Sequence, residues 1–260
     1  MRANDIELCQ ENLSSGCKQC HAPLGFDFSF AFQPIVDLEN RRVFGYEALV
    51  RDLQDQTAGT VLKRVNDDKR YAFDQACRVK AIALASQLQI DCVLSINFLP
   101  NAVYEPKHCI QSTIQAAEQF GFPVKNIMFE VTESEHVADP QHLTKIFQYY
   151  QTQGFVTALD DFGAGHAGLN MLAHFLPNVL KLDIELVRNI DRDLTKQIIA
   201  KHLLKMCQEL KITVLAEGVE RIEEVHFFYD RGVRLMQGYF FAKPLFEALP
   251  TVDFSFLDTF

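Results

Sequence analysis

From Phe28 onward the chain alternates between short apolar runs at strand spacing and longer segments with apolar residues at helical spacing. Residues 28–36 and 43–50 read as two strands, and the turn residues Asp37 to Arg41 between them predict a hairpin. Pro34 restricts the first strand to a sheet edge or a bulge. Residues 62–88 lack Gly and Pro and predict one or two helices. Further strands are expected at 92–97, 126–133, 155–160, 179–183, 212–218 and 234–238. Helices are expected between them at 112–120, 141–153, 169–174, 195–210 and 223–230, the first two closed by Gly121 and Gly154. Residues from Leu245 onward pack the C-terminus. Eight strands in this rhythm, with short connections, predict a TIM-like (β/α)8 barrel with one antiparallel strand near the N-terminus.

Composition narrows the picture little except through charge. A formal net charge of −9 argues against a protein that coats long nucleic acid. No apolar run is long enough to span a bilayer, and the polar N-terminus carries no secretory signal, so a cytoplasmic protein without a membrane segment is expected. Residues 1–27 read as a polar N-terminal extension ahead of a single barrel domain at 28–260. That extension holds Cys17-Lys-Gln-Cys20-His21, which matches a c-type haem attachment signature but lacks the export signal such attachment needs. Cys9, Cys17, Cys20 and His21 also form a donor set suited to Zn2+, the alternative being a tail of free thiols. Cys77, Cys92, Cys109 and Cys207 fall in core strands or helices, where free cysteine acts as a small hydrophobe.

The chemistry gathers at the strand ends. Residues 156–159 form a short β-branched and aliphatic run that ends in Asp160 and Asp161, followed by the turn Phe162-Gly163-Ala-Gly165. Adjacent carboxylates repel unless a cation lies beside them. The other strands end alike: Glu47, Asn97, Glu130, Lys181 with Asp183, Glu217 and Gln237. In a parallel barrel those ends converge on one face. Taken singly, each is readable as a solvated end or a turn residue, yet no structural demand makes every strand finish polar at the same end. Five carboxylates and one amide, with no His or Cys, favour two Mg2+ or Mn2+ ions over zinc or copper. Two such ions suit phosphoryl chemistry. Lys181, the one cation in the ring, is the candidate for orienting or deprotonating an attacking water, and Arg51 suits a phosphate oxygen.

The motifs Phe32-Gln33-Pro34-Ile35, Glu47-Ala48-Leu49-Val50-Arg51, Asn97, Glu130-Val-Thr-Glu133, Asp160-Asp161-Phe162-Gly163, Lys181-Leu-Asp183, Ala216-Glu217-Gly218-Val219-Glu220 and Gln237-Gly238-Tyr239 occur in this order. Together, over residues 28–250, they resemble the EAL domains, which hydrolyse cyclic di-GMP. The resemblance implies Glu47, Asn97, Glu130, Asp160, Asp161 and Glu217 as metal ligands and Lys181 as the contact to the nucleophilic water. It implies Glu133 as the residue holding the loop after Asp161. Gln33, Leu49, Arg51, Asp183 and Gln237 are implied as substrate contacts, with Glu220 a step further out. Cleavage of one phosphodiester bond to linear pGpG and a homodimer are also implied. Ala164, His166, Ala167 and Gly168 depart from the usual pattern of the loop, which bears on rate and dimer coupling and not on the ligands. The competing expectations are a receptor that holds the dinucleotide uncut and a protein–protein regulator.

Overall fold

The computed structural model describes residues 23–132, 140–165 and 168–259. Cys9, Cys17, Cys20, His21, Glu133, His166 and Ala167 therefore lie outside the described residues, and with them the zinc and loop-holding expectations.

The hairpin forms as expected. β1 (Ser29–Asp37) runs antiparallel to β2 (Arg42–Arg51), with Gln33 opposite Glu47 and a register shift after Ile35. That shift leaves Phe44 as an extra residue on β2, so Pro34 sits beside a bulge and not at a free edge. β3 (Val93–Asn97), β4 (Ile127–Thr132), β5 (Val156–Phe162), β6 (Val179–Leu182), β7 (Thr213–Ala216) and β8 (Leu235–Met236) follow β2 in parallel, each paired with the next. β1 pairs antiparallel with β8 as well and so closes an eight-stranded barrel. β9 (Leu245–Phe246) adds outside it on Ala31 and Phe32.

The connections are α1 (Ala58–Leu62), α2 (Arg70–Gln87), α3 (Pro106–Cys109), α4 (Gln111–Phe120), α5 (Pro140–Thr152), α6 (Gly168–His174), α7 (Ile184–Val187), α8 (Leu194–Leu210) and α9 (Ile222–Tyr229). Of the one or two helices expected over 62–88, one long helix, α2, forms from Arg70, because Asn66 accepts a hydrogen bond from the Lys69 N–H and starts a fresh turn at Asp67. α4 closes at Gly121 with φ +66°, as its sequence requires. Asp193 opens α8 by accepting from the N–H groups of Thr195 and Lys196.

Two layers of core result. Outside the barrel wall, Phe98, Phe129, Phe147, Tyr150 and Phe155 pack rings between strands and helices, each burial contributing roughly 1.5–3 kcal/mol. Inside it, Ile35, Met128, Ala158, Val179, Leu215 and Leu235 form one apolar layer. Strand side chains alternate with a period of two, so the next inward residue on each strand is Gln33, Glu130, Asp160, Lys181, Glu217 or Gln237. On β1 that residue precedes its apolar partner, because the strand runs the other way. The polar ring therefore rests on an apolar floor built by the same alternation.

Candidate active site

Lys181 is fully buried at the centre of the ring. Its Nζ lies 2.7 Å from Glu217 Oε1, 2.9 Å from Glu130 Oε2, 3.1 Å from Asp160 Oδ1 and 3.8 Å from Glu47 Oε2. Asn97 Nδ2 donates to Glu47 Oε1 at 3.2 Å, and Gln237 Nε2 donates to Glu47 Oε2 at 2.8 Å. Ser95, two residues before Asn97 on the same face of β3, donates its hydroxyl to Glu130. Sequence reasoning passed over Ser95, although the period-two spacing from Asn97 already placed it inward.

The electrostatics follow from burial. Glu130 is pushed up to about 8, first by desolvation, then by Glu47 and Asp160, against the lowering pull of Lys181. Glu217 is raised well above the usual carboxylate range by burial and by Asp160. Asp161 is pushed up to about 6 by burial, with Asp160 and Asp183 adding to it. Desolvation alone would lower Lys181, but Asp160, Glu130, Glu217 and Glu47 outweigh it and hold the ammonium charged.

Adjacent strand residues normally point to opposite faces, so Asp160 and Asp161 would not ordinarily share a site. Here the β5–β6 register breaks between Leu159 and Phe162, and Asp161 adopts a left-handed backbone at φ +53°, which Asp tolerates better than most residues. Its N–H donates to Asp160 Oδ1 at 2.9 Å. The bulge re-aims the second acid toward the first. Two groups of oxygens result, Glu47 with Glu130 and Asp160, and Asp160 with Asp161 and Glu217. Within each group one oxygen per residue lies within 4.8 Å of the others. Asp160 belongs to both. All-oxygen donor sets of this kind fit hard divalent cations.

The expected substrate contacts are placed unevenly. Gln33 is buried opposite Glu47 and donates to the Ala242 carbonyl at 3.3 Å. Leu49 and Arg51 follow Glu47 on the same face of β2, and Arg51 lies 3.7 Å from Asp55. Gln237 is buried, and its Oε1 has no hydrogen-bond partner among the described residues. Asp183 caps α7 by accepting from the Glu185 N–H at 2.8 Å. Glu220 stands apart, in an exposed ion pair with Arg188 at 3.1 Å.

The family model of the EAL domain matches residues 21–244. A standalone versatile EAL protein from Vibrio cholerae O395, solved in a c-di-GMP-bound form, is 54% identical, with a TM-score of 0.87 over 90% of this chain and 99% of that one. BlrP1 of Klebsiella pneumoniae, solved as a manganese/cy-diGMP complex, is 35% identical with a TM-score of 0.80 over 85% of this chain and 56% of that one. The blue light- and temperature-regulated antirepressor BluF of Escherichia coli (strain K12) is 30% identical over 86% of this chain and 56% of its own length. The probable cyclic di-GMP phosphodiesterase PdeN of the same organism is 29% identical over 84% and 43%. The chain spans about half the length of the curated relatives it matches.

Proposed function

The chain belongs to the EAL domain family, and from that membership we propose that it is a divalent-cation-dependent phosphodiesterase that opens cyclic di-GMP to linear pGpG. The observation that carries the proposal is the convergence of Glu47, Glu130, Asp160, Asp161 and Glu217 in two overlapping oxygen groups around Lys181, with Asn97 bonded to Glu47 beside them. Glu47, Glu130 and Asp160 with Asn97 would hold one cation; Asp160, Asp161 and Glu217 would hold a second. Two such cations, Mg2+ or Mn2+, supply Lewis acidity on the phosphodiester and a lowered pKa for the attacking water.

The residues of the chain do the rest. We assign Lys181, whose ammonium lies among the acids, the orientation of the attacking water. Arg51 offers a guanidinium to a phosphate oxygen of the dinucleotide. Gln237 Oε1, buried and unpartnered, offers an acceptor to a nucleobase N–H. Gln33, Leu49 and Asp183 are assigned as further contacts to the dinucleotide. In the reaction the water oxygen bonds to phosphorus and the bond to one ribose oxygen breaks. That oxygen takes a proton, leaving one free hydroxyl and one phosphomonoester.

Incubation of the purified protein with cyclic di-GMP and Mg2+ or Mn2+ tests the proposal, with linear dinucleotide as the expected product. Glu47→Ala and Lys181→Ala each lower turnover by at least about 100-fold while leaving circular dichroism unchanged. No product with either metal sinks the assignment. The resemblance to an antirepressor motivates a second reading, a regulator or receptor that acts through binding. Cyclic di-GMP held tightly without cleavage in the presence of both metals favours that reading.

We also propose a homodimer. Leu169 on α6 and Leu194, Ile198 and Ile199 on α8 are exposed apolar side chains on helices that follow neighbouring strands. Cytoplasmic placement is supported by four free thiols among the described residues, Cys77, Cys92, Cys109 and Cys207.

A further inference from the structure

At the end of the barrel opposite the acidic ring lies a cavity of about 530 Å³. It opens between α8 and the N-terminal ends of β7 and β8, where Thr213 and Leu235 begin their strands. Lys201, Lys205, Arg231 and Arg234 line it, and no carboxylate does. In a chain of net charge −9 such a concentration of one sign is local and opposed to the average.

These cations are mostly without a counter-charge, although Arg231 and Arg234 each spend donors on backbone carbonyls. Among the described residues only Lys205 has an acidic partner, Glu209, at 3.9 Å and with both side chains exposed, a pairing worth little in water. Lys201 and Lys205 stand one helical turn apart on α8, with Gln208 on the same face. Arg231 lies over the Phe227 ring at 3.7 Å and donates to the Phe227 carbonyl at 2.8 Å, and Arg234 lies over the Tyr229 ring at 4.1 Å. Ring stacking fixes guanidinium planes without neutralising their charge. Leu204, Ile212, Val214, Val233 and Leu235 supply an apolar wall beside them.

A site with cations along one side, an apolar wall along the other and room for a small organic molecule suits a ligand divided in the same way. We propose that this cavity binds a phosphorylated small molecule with an aromatic body, of the nucleoside di- or triphosphate class. Its phosphates meet Lys201, Lys205 and Arg231, and its ring meets the apolar wall. The site is separate from the acidic mouth and independent of the reaction assigned there.

Titration calorimetry of the full chain in EDTA with ATP, pyrophosphate and adenosine tests it. The expected result is one ATP per chain, pyrophosphate weaker by at least about tenfold, and no heat from adenosine. Raising the salt weakens ATP binding, because exposed charges are screened. Lys205→Ala with Arg231→Ala weakens ATP by at least about tenfold at an unchanged melting temperature. Should that pair unfold the protein, Lys201→Ala with Lys205→Ala, both on the exposed face of α8, takes its place. Excess cyclic di-GMP leaves ATP binding intact. Absence of ATP binding at millimolar concentration, equal affinity in the double variant, or displacement by cyclic di-GMP overturns the proposal. Failure of cyclic di-GMP to bind at all would undo the phosphodiesterase assignment and leave the ATP result standing.

Discussion

Asp161 sits in the left-handed backbone region beside a break in the β5–β6 register, and that one conformation lets two sequential acids serve one site. Asparagine tolerates the same backbone, whereas a β-branched residue does not. Asp161→Asn therefore keeps stability within about 0.5 kcal/mol but weakens uptake of Mn2+, while Asp161→Val costs a further 1–3 kcal/mol or so in urea unfolding. Glu130, pushed up to about 8, and Asp161, pushed up to about 6, hold protons in the folded chain that they would shed when unfolded. Their contribution to metal-free stability is accordingly greatest below the unfolded carboxylate pKa and is lost as the pH rises through about 6 for Asp161 and about 8 for Glu130. Cations require the deprotonated forms, so Mn2+ affinity falls from about pH 9 to about pH 6, with proton release seen by calorimetry in buffers of different ionisation heat. Affinity that does not change with pH would contradict this.

Among the elements, the loops after β7 and β8 are seated on each other through glycine. The Val219 N–H donates to the Gln237 carbonyl and the Phe240 N–H to the Val219 carbonyl, both at 3.0 Å. A Cβ on Gly238 would lie 2.0 Å from the Val219 carbonyl oxygen, a clash with backbone that no rotamer relieves. Gly238→Ala should cost about 3 kcal/mol in denaturant unfolding and displace Glu217 and Gln237 enough to reduce turnover. A variant with wild-type stability and rate would show that the loops are not locked together. This close approach also explains why β8 is shorter than residues 234–238 suggested: the chain turns away at Gln237 to meet Val219. Period-two alternation and turn residues made strands, hairpin and ring legible, because both are local in sequence. Asp74 and Arg78 illustrate what was not. Spaced four apart in α2, both are buried as an ion pair, and Asp74 Oδ1 accepts from the Leu99 N–H at 2.9 Å, two residues beyond Asn97. Only the packing of α2 over the β3 loop reveals that role. The bulge at Asp161 is hidden for the same reason, since it depends on the neighbouring strand.

At the scale of the molecule, the barrel buries Cys77, Cys109 and Cys207 as it buries its rings, and half-buries Cys92. Desolvation pushes Cys92 and Cys207 up to about 11 and raises Cys77 well above the usual thiol range, so these cysteines are packing residues and poor nucleophiles. The exposed apolar face of α6 and α8 is where the proposed dimer would be tested. Leu194→Asp with Ile198→Asp should convert a dimer into a monomer in sedimentation velocity, with the barrel still folded. A wild-type chain that sediments as a monomer at working concentrations removes that expectation.

The reversed direction of β1 decides from which side the chain enters the barrel. Ser29 pairs with Arg51, four residues beyond Glu47 on β2, so the polypeptide joins the barrel at the rim of the acidic mouth. A barrel of uniformly parallel strands would receive it at the far end. Any domain spliced in ahead of Ser29 is thus leashed beside that mouth, at an effective concentration that short flexible linkers hold on the order of millimolar. A weak obstructing contact, ineffective when added in trans, becomes a working gate when delivered from that position.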